Sequence, residues 1–149
     1  MSYLVDTNVF LRVANPADPH RAECVAALDL LRGTDEAFTC AQILIEYWSA
    51  ATRPTDVNGL GLDTAKTARN LRLIGGMFPC LSEPPDMGDL WQKVVIRHNV
   101  IGKQAHDARI AALMLAHGVT HILTLNPNDF TRYEGITPVT PQELGNQAG

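Results

Sequence analysis

The sequence predicts an α/β fold: a mostly parallel central sheet of about five short strands, flanked by helices on both faces. Three observations predict it. Short strand-like segments alternate with longer segments of helical periodicity, which favours parallel strands joined by helices. The 149 residues are the length of one ordinary domain. No internal repeat, low-complexity tract or linker divides the chain, so residues 1–149 read as one unit with a core over about 2–144.

Each element follows from its residues. Tyr3-Leu4-Val5 reads as a strand, and a helix runs from about Thr7 to Ala14, stopped by Asn15-Pro16. In "HRAECVAALDLLRG", Cys24, Ala27, Leu28 and Leu31 recur at helical steps, and Gly33 ends the run. "AFTCA" is a second strand, and "QILIEYWSAAT" is the helix after it, broken before Pro54. "RPTDVNGLG" is a loop by its breakers. Leu62–Ile74 is a helix opened by Asp63-Thr64 and closed by Gly75-Gly76. "FPCLSEPPD" holds a short strand and a proline-rich turn, after which Pro85-Asp86 starts a helix to about Arg97. "KQAHDARIAALMLAHG" is the clearest helix, with Gly118 at its stop. "THILTL" is a strand, "NPNDF" a turn, and Ile136–Val139 a last extended piece.

Composition narrows the function classes. The longest apolar run, Ile110–Ala116, is far short of the ~20 residues a membrane span requires. No basic segment followed by an apolar one opens the chain, so a cytoplasmic protein is expected. Cys24, Cys40 and Cys80, widely spaced, read as reduced core thiols. A net charge of −4 argues against holding nucleic acid by electrostatics alone. It does not exclude an enzyme acting on nucleic acid through cations, because ions in an acidic site reverse its local sign.

The acids carry the functional signal. In an open parallel sheet, ligands bind beyond the carboxyl ends of the strands. Asp6 lies there after the first strand, and "THILTLNPND" brings Thr124, Asn126 and Asp129 to the same end of a later one. On the helix headed by Asp107, positions three, four and seven further on are Ile110, Ala111 and Met114, so Asp107 points along an apolar face. Glu46 interrupts the apolar stretch "ILIEYW". A buried ionised carboxylate must be paired, protonated or metal-bound. Ordinary roles exist for each acid: Asp6 as a helix cap, Glu46 as partner of Arg12 or Arg53, Asp107 as a cap, Asp129 as a turn residue. The joint pattern points to a metal site.

With these residues assembled, the chain resembles PIN-domain nucleases, especially the VapC-type toxins of bacterial toxin–antitoxin pairs. The matching pieces are "YLVDTNVF", "ILIEYW", "HDARIAA" and "ILTLNPNDF", in family order, and the resemblance spans Ser2 to Leu144. It implies that Asp6, Glu46 and Asp107 are the principal acids around Mg²⁺ or Mn²⁺, one ion or two. The family's fourth acidic position falls on Asn126, with Asp129 three residues beyond, and the missing charge should lower occupancy of a second ion. Thr7, Asn8 and Thr124 are implied to support the carboxylates, and Glu46 or Asp129 to orient or deprotonate a water. Similar proteins cleave single-stranded or looped RNA, leaving 5′-phosphate and 3′-hydroxyl ends. The implied partners are an RNA substrate, a cognate VapB-type antitoxin and a second copy of the chain, with no membrane.

Arg12, Lys103 and Arg109 lie near enough in sequence to the acids to contact phosphates, while Tyr47, Trp48 and Tyr133 are available either to stack on bases or to fill the core. Three other functions compete. An RNA-processing nuclease could work on this fold without an antitoxin, and a binding module could keep the carboxylates without catalysis. A phosphatase of the haloacid-dehalogenase type would use Asp6 as nucleophile, but its second aspartate is replaced here by Asn8.

Overall fold

The computed structural model describes residues 1–34 and 36–148. Strand β1 (Tyr3–Val5) leads into helix α1 (Thr7–Ala14), followed by α2 (Arg21–Arg32), β2 (Ala37–Cys40), α3 (Ala41–Thr52) and α4 (Thr64–Met77). Then come β3 (Cys80–Leu81), α5 (Met87–Arg97), α6 (Gln104–His117), β4 (His121–Leu123), β5 (Thr137–Val139) and α7 (Pro141–Ala148).

The strands form one five-stranded sheet in the order β3-β2-β1-β4-β5, every neighbouring pair parallel. The chain lays β2 and β3 outward on one side of β1, then returns to place β4 and β5 on the other. The order reverses between β1 and β4, and at such a switch point the loops leaving the two strands diverge and open a crevice. Val5 aligns with Leu123, so Asp6 and Thr124 follow each other's strands at the same level. Leu4, Val5, Ile122 and Leu123 are fully buried and form the floor of the core.

Most helices lie where the apolar spacing places them. Helix α2 buries the expected Cys24, Ala27, Leu28 and Leu31, and α6 ends at Gly118 with φ of 69°. The segment expected as loop contains a 3-10 turn, Thr55–Val57, and folds back onto α3. Leu60 and Leu62 N–H groups donate to the carbonyls of Ala50 and Ala51. Gly59 is needed there, since a Cβ would lie 2.1 Å from the Arg53 carbonyl oxygen.

Three expectations need correction. Helix α4 continues through Gly75-Gly76 to Met77 instead of stopping before them. Each helical glycine costs about 1 kcal/mol relative to alanine. The continuation delivers Phe78 to full burial against Phe10, ring centroids 5.9 Å apart, which offsets that cost. The second correction is α7, unforeseen beyond the extended piece at Ile136–Val139. Its signal is "TPQE": Pro141 begins the helix and Thr140 Oγ1 accepts from the Glu143 N–H at 3.1 Å. The helix packs on α2 and buries Leu144. Thr140→Ala is expected to cost about 1 kcal/mol, read as a lower urea midpoint. Third, Cys24 and Cys40 are buried and free, but Cys80 is exposed. It alternates with buried Leu81 on an edge strand, so its side chain faces outward.

Candidate active site

Asp6 is the best-anchored acid. It is 8% exposed and still caps α1, its Oδ1 accepting from the Thr7 N–H at 2.8 Å. Its Oδ2 accepts from Thr124 Oγ1 at 2.8 Å and from Asn8 Nδ2 at 3.3 Å. Asn8 in turn fixes the opposite loop, because its Oδ1 accepts from the Leu125 N–H. Thr124, fully buried, also accepts from the Asn126 N–H. Thr7, Asn8 and Thr124 thus tie the ends of β1 and β4 together through one carboxylate.

Glu46 reaches the same crevice from α3. Its Oε2 accepts from Thr7 Oγ1 at 3.0 Å and its Oε1 from Gln42 Nε2 at 3.0 Å. It pairs with neither Arg12 nor Arg53. Gln42 was not anticipated, although its position one helical turn before Glu46 on the same face is the signal that finds it. Buried at 8% exposure, Gln42 also donates to the His106 carbonyl at 2.7 Å, joining Glu46 to the start of α6. Its Oε1 accepts from Arg109 Nη1, while Arg109 Nη2 contacts both oxygens of Glu83 at 2.7 Å. Arg109 is therefore committed to Glu83 and Gln42; it orients the Glu46 support.

Asp107 sits half-buried at the first turn of α6, and Asp129 half-buried in the 3-10 turn Pro127–Asp129. Burial is the main cause that raises Asp107 to about 7, followed by the negative charges of Asp129, Asp6 and Glu46. Burial likewise lifts Asp6 to about 6 against the lowering pull of Thr124 and the Thr7 N–H, with Glu46 and Asp129 adding repulsion. Asp6 thus feels the charges of Glu46 and Asp129, and Asp107 those of all three, which places Glu46 and Asp129 on the same side of the sheet as the other two. Asn126 is exposed.

Among the described residues, no lysine, arginine or histidine pairs with any of the four carboxylates. An all-oxygen donor set with uncompensated charge suits a hard divalent cation. No three His, Cys, Asp or Glu side chains among the described residues form a ready-made metal cage. Magnesium-like ions take one or two carboxylates directly and keep several waters, so a loose acidic ring fits them.

The remaining candidates divide. Arg12 pairs with Asp18 at 2.7 Å and lines a cavity of about 320 Å³ that begins at Asn8. Lys103 is exposed just before α6. Tyr47 and Tyr133 are core residues, at 1% and 2% exposure, leaving Trp48 half-buried. Among the described residues, no helix is long and apolar enough to cross a membrane.

Comparison with known proteins agrees with this fold. The PIN domain pattern matches residues 3–136. Ribonuclease VapC24 of Mycobacterium tuberculosis (strain CDC 1551 / Oshkosh) is 26% identical over 131 residues, covering 87% of this chain and 89% of that protein. A chain of the VapBC2 complex from Rickettsia felis, bound to a fragment of its promoter DNA, superposes with a TM-score of 0.72 at 15% identity, covering 94% of this chain and 98% of that one. Mycobacterium tuberculosis VapC20, described as a sarcin-ricin loop cleaving toxin, gives 0.68 at 17% identity over 92% of this chain and 100% of that one. With the match running from β1 to the residue before β5, the chain belongs to the PIN-domain family.

Proposed function

We propose that the protein is a divalent-metal-dependent endoribonuclease, the toxin of a toxin–antitoxin pair, using Mg²⁺ or Mn²⁺. The observation that carries this reading is Asp6, tied to Thr124 across the sheet's switch point and to Glu46 through Thr7, with Asp107 and Asp129 close enough to act on the pair's charge and, among the described residues, no cation paired with any of the four. The names of its relatives support RNA as substrate and an antitoxin as partner. A second copy of the chain is the further partner we infer from the family resemblance.

Asp6, Asp107 and Glu46 would hold the cation. A cation held there would neutralise phosphate charge and acidify a water for in-line attack on phosphorus. The residues divide the remaining work. Both Glu46 oxygens already accept protein hydrogen bonds, which fixes the carboxylate to orient the attacking water. Asp129 accepts no side-chain hydrogen bond among the described residues, so its oxygens are open to take the water's proton. Attack breaks the bond from phosphorus to O3′, giving a 5′-phosphate and, after protonation, a 3′-hydroxyl. Burial raises the Asp6 and Asp107 carboxyls, so below about pH 6 protons compete with the ion for them.

The direct test incubates purified protein with structured RNA in Mg²⁺ or Mn²⁺ and again in EDTA. Cleavage only with the ion is expected; equal cleavage in both sinks the reading. A finer prediction concerns the support. Gln42→Leu keeps a side chain of similar size but removes the donor to Glu46 Oε1. It should lower kcat or Mn²⁺ affinity by about ten- to a hundredfold, measured by steady-state kinetics and by calorimetric Mn²⁺ titration.

A further inference from the structure

Between the start of α5 and the first turn of α6 lies a cavity of about 490 Å³ unused by the chemistry above. Its walls are Met87, Gly88 and Trp91 on α5, with Glu83, His106 and Arg109 at the other sides. It lies one side chain away from the acids: Arg109 on its wall donates to Gln42 Oε1 at 3.0 Å, and Gln42 Nε2 donates to Glu46 Oε1 at 3.0 Å. We infer that this cavity receives an unpaired RNA base next to the scissile phosphate, stacked on Trp91; the inference rests on the ribonuclease reading above.

Four observations carry it. The volume exceeds that of a nucleobase, and the lining is mainly apolar, as a stacking site requires. The Trp91 indole is held in place, its Nε1–H donating to the Ala105 carbonyl at 2.9 Å, so its ring is oriented before any ligand arrives. Arg109 holds Glu83 fixed at the wall through both carboxylate oxygens, whose remaining lone pairs can accept from the amino edge of a base. Gly88 keeps the space open: a Cβ there meets no atom within 4 Å. Because Gln42 alone separates Arg109 on the cavity wall from Glu46, a base flanking a phosphodiester held at the acids has the cavity within its reach.

The same openness supplies the test. Gly88→Leu adds a side chain without a backbone clash, and leucine is a better helix former than glycine. The variant should therefore fold, with an unchanged or higher Tm, while its side chain occupies the cavity. Cleavage of a looped RNA should fall about ten- to a hundredfold in Gly88→Leu and in Trp91→Ala. An abasic nucleotide on one side of the cut should impose the same loss on the unsubstituted protein, and no more on either variant. Independently of cleavage, Trp48→Phe leaves Trp91 as the single indole. Its fluorescence should be quenched by RNA hexamers of one base type and not by an abasic hexamer. Quenching without cleavage by any form upholds the base site and removes the nuclease reading. Normal cleavage by a folded Gly88→Leu, with no quenching in Trp48→Phe, overturns the base site and leaves the nuclease reading standing. Gly88→Leu that cuts RNA normally yet no longer binds its antitoxin also overturns it, in favour of a peptide-docking cavity.

Discussion

Asp107→Asn is expected to reduce RNA cleavage at least about a hundredfold, equivalent to roughly 3 kcal/mol of transition-state stabilisation. The substitution preserves shape and deletes one negative charge. Because Asp107 accepts no side-chain hydrogen bond among the described residues, nothing in the fold depends on its ionised form. Its neighbours repel it, so removing the charge should stabilise the metal-free protein above pH 7 while weakening cation binding. Kinetics with Mn²⁺ and urea denaturation in EDTA would show the two effects moving in opposite directions. Asp6→Ala should behave differently. It removes a cation ligand and also the cap of α1, whose loss alone costs about 1 kcal/mol. Cleavage undiminished in both variants would remove the acids from the chemistry.

The metal-free protein should lose stability as pH rises from about 4 to 7. Asp6 has its carboxyl raised by burial from 3.8 to about 6, so the folded state binds its proton more tightly than the unfolded chain does. Stability from that proton is complete below pH 4, declines as pH climbs toward 6, and is gone beyond it. For Asp6 the loss is on the order of 3 kcal/mol, at about 1.4 kcal/mol for each pH unit between the two values. Asp107 adds in the same direction up to about pH 7, by less than its shift implies, because it is half exposed and solvent screens it. Saturating Mg²⁺ or Mn²⁺ should restore the lost stability at pH 8 and have little effect at pH 4. Urea midpoints at the two pH values, with EDTA and with the cation, measure it. A metal-free protein no less stable at pH 8 than at pH 5 would show that the crevice charges are neutralised in some other way.

Local periodicity made the α/β alternation legible, because strands this short and helices this regular announce themselves through spacing and caps. The crevice was legible too: a strand that ends on Asp6, and an acid pointing along the apolar face of α6, are local facts with a global reading. What sequence could not show depends on partners remote along the chain. Arg109 reads as a phosphate contact until Glu83, 26 positions away, is seen to occupy it. Gln42 goes unremarked until its amide is found bridging Glu46 and His106. Cys80 reads as core until β3 proves to be the sheet's margin. The passage of α4 through two glycines follows from the burial of Phe78, a tertiary contact that no helix propensity contains. Helix α7 differs in kind: its capping sequence, from Thr140 to Glu143, is local and needs no remote partner.

The bond from Thr124 to Asp6 joins positions 118 apart in the chain. During translation, the Asp6 carboxylate waits for the 118 residues that follow it before β4 can dock beside β1 and supply that donor. A chain that has not yet reached Thr124 therefore holds Asp6 without that donor.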